Sequence, residues 1–162
     1  YNGGFGVGAP ADLKVIAGLG WTAAQAQPRL STDISNGRPA ILVEALGTND
    51  SNPACCGGWT SDDVNRFRLM INSPHPSACV VVVLPGYGPG ATQAHKDAMY
   101  RARLSLRRLI AERPRTVEVD WYPLVRDDPS LVEADGIHLS GAESWAARSS
   151  LYWEGVAKCA TV

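Results

Sequence analysis

The sequence predicts a three-layer α/β domain in which helices cover both faces of a parallel β-sheet. Short apolar segments typical of buried strands alternate with capped or amphipathic segments typical of helices, in the order strand then helix, four times over. Loops rich in glycine and proline separate these segments. The length of 162 residues suits one domain with a proper core, so we expect a single domain over residues 1–162.

The predicted sheet begins with two strands joined by one helix. A short strand is expected over residues 11–16, after a glycine-rich loop. Thr22 can cap a helix that runs to about Ser35, with Pro28 as a kink or an early break. Residues 41–46, ILVEAL, are too few for a typical helix and rich in β-forming types, which indicates a strand buried in a parallel sheet.

Two helices and the clearest strand follow. After a loop, Thr60 and Asp63 form a capping box that opens a helix ending near Ser73. Residues 79–84, CVVVVL, form the least ambiguous strand of the chain. Residues 93–112 form the longest helix, with an apolar repeat on one face and arginines on the other.

The last part of the chain contains one more strand and one more helix. A strand is predicted over residues 116–121 and a loop over 123–137. Ser140 and Glu143 form a capping box that opens a final helix running to about Ala157. Such a domain normally begins with a strand near the middle of its sheet, whereas the first strand here has a peripheral character. We therefore expect the first central strand to be missing from these residues.

Composition argues against several classes of partner. The net charge is -1 and 19% of the residues are charged, which gives no reason to expect nucleic acid or an anionic membrane. The sequence contains no signal peptide and no apolar run of about 18 residues. We expect a soluble chain from which any export signal has been removed or omitted.

The four cysteines, Cys55, Cys56, Cys79 and Cys159, include no CxxC pair and have no histidine at metal-ligand spacing. A zinc site is therefore not expected, and no pattern predicts a cofactor. One or two disulfides in a secreted or cell-envelope protein are the preferred interpretation, and a buried Cys79 thiol is the alternative. Because a bridge between adjacent cysteines strains the peptide between them, we expect each bridge to reach Cys79 or Cys159.

Two groups of polar residues are placed to form a site. Residues 47–50, GTND, follow the strand 41–46 at its carboxyl end, where open α/β sheets bind ligands. Asn49 can aim a side-chain N–H at a developing oxyanion. In residues 135–138, DGIH, a tight turn lets Asp135 accept from the ring of His138, which leaves the other ring nitrogen as a general base. Taken alone, each group also fits an ordinary surface turn.

In combination these residues resemble the SGNH hydrolases, also called the GDSL esterase/lipase family. Residues 47–50 look like the family's GxND block and residues 135–140 like its DxxH block. Gly20 lies 49 − 20 = 29 residues before Asn49, a spacing similar to that of the family's glycine block. The resemblance covers residues 11–157 and implies a flavodoxin-like parallel sheet.

The resemblance also implies a role for each matching residue. The Gly20 N–H and the Asn49 side chain would stabilise the oxyanion, His138 would act as the base, and Asp135 would orient it. Gly18 is the alternative for the glycine role, and an ordinary turn glycine is the other interpretation of Gly20.

The family's first block, a strand followed by Gly-Asp-Ser, has no match in these residues. The serine lies on a cleaved or separate N-terminal piece, or the domain has lost its nucleophile, or another serine substitutes. Ser51 is the nearest to the GTND block, and Ser140 is better explained as a helix cap. We name no nucleophile in this chain.

Other polar and aromatic residues carry weaker signals. His75 and His95 are expected to face solvent. Four aromatic residues could line an acyl or sugar site, although core or loop packing is favoured for each: Trp21, Trp59, Tyr87 and Trp121. The loop at 85–90, PGYGPG, is placed to shape a substrate cleft.

These observations favour a secreted serine esterase or deacylase acting on an ester of a small acyl group or a lipid. One alternative is a cell-envelope O-acyltransferase that passes the acyl group to a carbohydrate. Another is a non-catalytic domain that binds a glycan or a protein. The expected partners are an ester substrate and, where the chain is cleaved, its own N-terminal segment, with no membrane span.

Overall fold

The computed structural model describes residues 21–37 and 39–162, in which three parallel strands form one sheet. The strand order is β1 (Ile41–Glu44), β2 (Cys79–Leu84) and β3 (Thr116–Asp120). Glu44 pairs with Val82, and Leu84 pairs with Asp120, so the three strands end at one edge. The strand predicted over 11–16 lies outside the described residues.

Six α-helices and two short 3₁₀ helices are present in the described ranges. The α-helices are α1 (Ala23–Gly37), α2 (Pro53–Cys56), α3 (Ser61–Asn72), α4 (Gln93–Glu112), α5 (Tyr122–Asp127) and α6 (Ala142–Lys158). The 3₁₀ helices span Pro129–Leu131 and Cys159–Thr161. None of the helices in these ranges has the length and apolar character that a membrane crossing requires.

The helices cover both faces of the sheet. Helices α1, α3 and α4 pack on one face, around a core that includes Phe67, Met70 and Leu106. On the other face α6 packs against Val81 and Val119. A side chain at Gly155 of α6 would lie 2.5 Å from Val81 Cγ1, so glycine allows this close approach. The predicted three-layer α/β architecture is confirmed.

Several local signals are confirmed. Helix α4 spans the predicted residues 93–112, and β2 spans the predicted 79–84. The capping box of α3 is formed, since Thr60 accepts from the Asp63 N–H and Asp63 accepts from the Thr60 N–H. These elements depend on contacts between near neighbours in the chain.

Other predicted elements differ from the structure. Residues 53–56 and 122–127, predicted as loops, form helices α2 and α5, each with a proline in its first turn. Strand β1 ends at Glu44 rather than at residue 46. Pro28 lies inside α1, which runs to Gly37 rather than to Ser35.

Two predicted helix caps are wrong. The Thr22 hydroxyl donates to Gln25 Oε1, and the Ala23 N–H donates instead to Asp50 Oδ1 at 2.8 Å. The Ser140 hydroxyl donates to a carbonyl oxygen 10 residues earlier in the chain, that of Ser130. Helix α6 begins after Gly141 without a side-chain cap. The hydroxyls of Thr22 and Ser140 therefore donate to other oxygen atoms and do not form the predicted caps.

The structure contains two disulfides, as the cysteine pattern allowed, but pairs them differently from our expectation. Cys79 at the start of β2 is bonded to Cys159 after α6. Cys55 is bonded to its neighbour Cys56 in α2, so the expectation that adjacent cysteines would not pair is wrong. Because Cys79 and Cys159 are bonded to each other, Cys55 and Cys56 have only one another as partners among the four cysteines.

Candidate active site

The first part of the candidate site is a tight turn at the carboxyl end of β1. Gly47 has φ +101°, a backbone conformation that favours glycine. Its carbonyl accepts from the Ser51 N–H at 3.0 Å and from the Ser51 hydroxyl at 2.6 Å. The turn therefore directs Thr48, Asn49 and Asp50 away from the strand.

Two long-range hydrogen bonds join this turn to the start of α1. The Asn49 side-chain Nδ2 donates to the Trp21 carbonyl at 3.2 Å, and Asp50 Oδ1 accepts from the Ala23 N–H. An amide nitrogen carries two N–H groups, and the bond to the Trp21 carbonyl uses one of them. Gly20 and Gly18 lie outside the described residues, and their roles stay predictions.

The second part of the candidate site is the turn at 135–138. Asp135 Oδ2 lies 2.6 Å from His138 Nδ1, while Asp135 Oδ1 accepts from the N–H groups of Ile137 at 2.8 Å and His138 at 3.1 Å. Gly136 takes φ +71° between them. Burial raises the pKa of the Asp135 carboxyl, but the hydrogen bonds from His138 and the backbone outweigh it and lower the pKa below its usual range. Asp135 is therefore a carboxylate that holds the ring in one orientation.

The loop at 85–90 supports this second turn. The Gly88 N–H donates to the Gly136 carbonyl at 2.7 Å. A side chain at Gly136 would lie 2.5 Å from the Ala91 backbone nitrogen, and one at Gly90 would overlap the Ala134 carbonyl. Because the two loops pack backbone against backbone, the loop after β2 sets the position of the DGIH turn.

His95 lies at the start of α4 and contacts the GTND turn. Its side chain is buried, with Nε2 3.5 Å from the Thr48 carbonyl oxygen. Burial lowers the pKa of His95, while the Thr48 carbonyl and the charge of Asp135 act in the opposite direction. His95 therefore lies near both turns. The prediction that it faces solvent is wrong, because the GTND turn covers the first turn of α4; His75 is exposed as predicted.

Two buried carboxyl groups lie at the GTND turn: Asp50 belongs to the turn itself, and Glu44, which was not singled out from the sequence, lies at the end of β1. Glu44 ends β1, and its Oε1 accepts from the Leu46 N–H at 2.9 Å. Burial raises the pKa of Glu44 to about 8, and the nearby Asp50 adds to the increase. Burial likewise raises the pKa of Asp50. Among the described residues, Glu44 Oε2 and Asp50 Oδ2 have no hydrogen-bond partner.

The four aromatic residues take part mainly in packing. Trp121 is fully buried, and the Trp59 ring lies 5.2 Å from the Phe67 ring. The Trp21 ring faces the Arg29 guanidinium at 5.2 Å. The Tyr87 ring lies 4.8 Å from that of Tyr122, which places two partly buried phenols beside the loop at 85–90.

Neither candidate serine is placed as a nucleophile. Ser51 is fully buried, and its hydroxyl is bonded to the Gly47 carbonyl. The Ser140 hydroxyl is bonded to the Ser130 carbonyl and lies 2.8 Å from Ser144 Oγ. Within the described ranges, no hydroxyl contacts the free ring nitrogen of His138.

Glu133, Asp135 and His138 offer ligand atoms within 4.8 Å of one another, and all three are exposed. A cation there would compete with the hydrogen bond between Asp135 and His138. Exposed acidic groups commonly lie this close without an ion. The arrangement suits a proton-transfer pair better than a metal centre.

Comparisons with solved structures identify proteins of the same architecture. A catalytic mutant of Axe2, an acetylxylan esterase from Geobacillus stearothermophilus, is 12% identical with a TM-score of 0.72, over 85% of this chain and 68% of that chain. A carbohydrate esterase family 3 protein from Talaromyces cellulolyticus is 17% identical with a TM-score of 0.68, over 88% and 70%. A protein described as a GDSL-like lipase from Parabacteroides merdae is 19% identical with a TM-score of 0.69, over 85% and 69%.

Comparisons by sequence find no matching protein-family model and no matching curated protein. In Axe2, the catalytic mutants replace a serine, an aspartate and a histidine, and the last two are three positions apart in that protein. Asp135 and His138 have the same separation here. The parallel sheet, its two helical layers and these structural likenesses together show that the chain has the SGNH hydrolase fold.

Proposed function

We propose that this protein is a serine esterase of the SGNH type that removes a small acyl group, such as acetate, from an alcohol. The observation that carries the proposal is the 2.6 Å contact between Asp135 Oδ2 and His138 Nδ1. The ring is largely exposed, at 71% of its side-chain surface, so its other nitrogen is open to a substrate. A carboxylate that holds one ring nitrogen leaves the other as a general base.

The proposed reaction passes through an acyl-enzyme. A serine hydroxyl attacks the carbonyl carbon of the ester, and His138 Nε2 takes the hydroxyl proton as the new bond forms. The carbonyl oxygen becomes an oxyanion that accepts from the Asn49 amide and the Gly20 N–H. The bond to the alcohol then breaks, His138 returns the proton to the alcohol, and water releases the acyl group by the same steps.

We assign the attacking serine to a preceding segment of the natural protein, outside these 162 residues. The bonded hydroxyls of Ser51 and Ser140 support this assignment, since neither contacts His138. The proposed segment would place the serine on a strand-to-helix turn beside β1, where both Asn49 and His138 can reach it.

The neighbours support a carbohydrate-linked acetate as the substrate class. Axe2 is named as an acetylxylan esterase, and the Talaromyces protein belongs to a carbohydrate esterase family. The His138 side chain is 71% exposed, and Asn49 is half-buried. A small acyl group on a bulky polar alcohol can reach side chains that are this open to solvent.

The test is acetyl-ester hydrolysis and active-site labelling of the full natural protein. We expect hydrolysis of p-nitrophenyl acetate, and covalent labelling of one serine by a fluorophosphonate probe, located by peptide mapping. Labelled protein should lose hydrolysis. Absence of both labelling and turnover would contradict the proposal and favour the non-catalytic binding domain. Acyl transfer to an added sugar, in preference to water, would identify an acyltransferase.

A further inference from the structure

His95 occupies an unusual place for an imidazole in the first turn of a helix. The α4 cap is formed by Thr92, whose hydroxyl accepts from the His95 N–H at 3.3 Å. First-turn side chains commonly face solvent, yet only 7% of the His95 surface is exposed. Burial of a polar ring is unfavourable unless the ring is hydrogen-bonded, so the contact with Thr48 compensates part of that cost.

The contact defines which nitrogen of His95 carries the proton. Burial favours the neutral ring, which has one N–H and one bare nitrogen. The Thr48 carbonyl can only accept, so the proton is assigned to Nε2, 3.5 Å away. His95 is thus a donor to the peptide that joins Thr48 to Asn49.

That peptide determines how the Asn49 side chain is aimed. The Thr48 carbonyl and the Asn49 nitrogen belong to one planar unit, so a donor that holds the carbonyl also holds the Asn49 backbone. On its other side, Asn49 is held by the bond from Nδ2 to the Trp21 carbonyl. The two contacts restrain the backbone and the side chain of Asn49 separately.

We propose that His95 is a positioning residue that aims the Asn49 amide at the oxyanion. This inference rests on the proposed esterase function and concerns a residue that does not touch the reacting atoms. A small displacement of an oxyanion donor weakens stabilisation of the transition state more than binding of the substrate. The effect should therefore fall on kcat rather than on KM.

The experiment compares variants of His95 in the full natural protein, with p-nitrophenyl acetate as substrate. We expect His95→Leu to lower kcat on the order of 10-fold with little change in KM. His95→Gln, whose amide can reach the Thr48 carbonyl, should restore most of kcat, whereas the shorter His95→Asn should not. The matched control is His75→Leu, at an exposed histidine, which should leave both constants unchanged.

A double-mutant cycle separates aiming from general structural damage. In an Asn49→Ala background, His95→Leu should have almost no further effect on kcat, since the group that it aims is gone. The inference would be overturned if His95→Leu lowered kcat as much in the Asn49→Ala background as in the wild type. Equal activity of the His95→Gln and His95→Asn variants would also overturn it. If the His95→Leu variant does not fold, the test is the difference in kcat between His95→Gln and His95→Asn. A wild type without hydrolysis would instead contradict the esterase proposal.

Discussion

The polar side chains of the two turns are held by hydrogen bonds of different range. In the DGIH turn, every hydrogen bond to the Asp135 side chain comes from a residue two or three positions away. In the GTND turn, the bonds of Asp50, Asn49 and Thr48 reach 27, 28 and 47 positions along the chain. The contact between Asp135 and His138 can therefore form within a short segment, although the loop at 85–90 sets the position of that turn, whereas the side chains of the GTND turn depend on α1 and α4.

The carboxyl groups of the two turns also differ in their exposure to solvent. Asp135 and His138 are exposed, and hydrogen bonds lower the pKa of the Asp135 carboxyl. Beneath the GTND turn, Glu44 and Asp50 are buried, and burial raises the pKa of both. Hydrogen bonding therefore favours the charged form of Asp135, whereas burial favours the neutral forms of Glu44 and Asp50.

The largest expected effect on activity comes from a substitution in the DGIH turn. Asp135→Asn should lower kcat on the order of 10⁴-fold, because an amide does not hold the imidazole in the catalytic tautomer. Steady-state hydrolysis of p-nitrophenyl acetate by the full natural protein measures it.

Glu133→Gln is the matched control for this substitution, since Glu133 is an exposed carboxylate on the same turn. Removal of its charge should change kcat less than about fivefold. Equal losses in the two variants would mean that general charge near the ring, rather than the contact with Asp135, supports catalysis.

A smaller loss of activity is expected from a substitution in the GTND turn. Asn49→Ala should lower kcat about 10²- to 10³-fold, the usual cost of one oxyanion donor, while thermal unfolding shows an intact fold. Asn52→Ala serves as control, since Asn52 only caps α2 by accepting from the Ala54 N–H. An Asn49→Ala enzyme with the wild-type rate would leave the GTND turn a structural element only.

The smallest effect concerns stability and pH. The folded pKa of Glu44, about 8, lies above its ordinary value of 4.5, so the folded state binds this proton more tightly than the unfolded state. The stability that the protonated Glu44 contributes to the folded state is fully present below about pH 4.5 and is lost as the pH rises to about 8. Glu44→Gln should therefore raise the free energy of unfolding at about pH 9 and change it little at about pH 4.

Urea unfolding at several pH values measures this difference. Glu133→Gln again provides the control, because an exposed carboxylate should leave the pH dependence as in the wild type. If the free energy of unfolding had the same pH dependence in Glu44→Gln and in the wild type, Glu44 would not titrate as proposed. The two turns would then not differ in the pKa of their carboxyl groups as described.

Some elements could be predicted because their determinants are adjacent in the chain. The capping box at Thr60 and Asp63, the apolar strand β2 and the amphipathic helix α4 each depend on a pattern within one segment. The contact between Asp135 and His138 belongs to the same group, since the turn alone brings the two side chains together. The three-layer fold follows from the order of such segments.

The short helices were missed for a related reason. Four or six residues provide too few positions for a periodic pattern, and the prolines at 53 and 123 suggested loops although proline suits a first helical turn. The pairing of Cys55 with Cys56 could not be deduced either, because pairing depends on which sulfur atoms the folded chain brings together.

The sequence by itself thus determined the layer order, the main helices and the local pair of Asp135 and His138. Only the tertiary structure decided that Asp50 rather than Thr22 caps α1, that His95 is buried against Thr48, and that Glu44 holds its proton. The physical reason is that burial and long-range hydrogen bonds depend on segments that are distant in the chain. A local pattern specifies the conformation of its own segment, but not which other groups will exclude water from it.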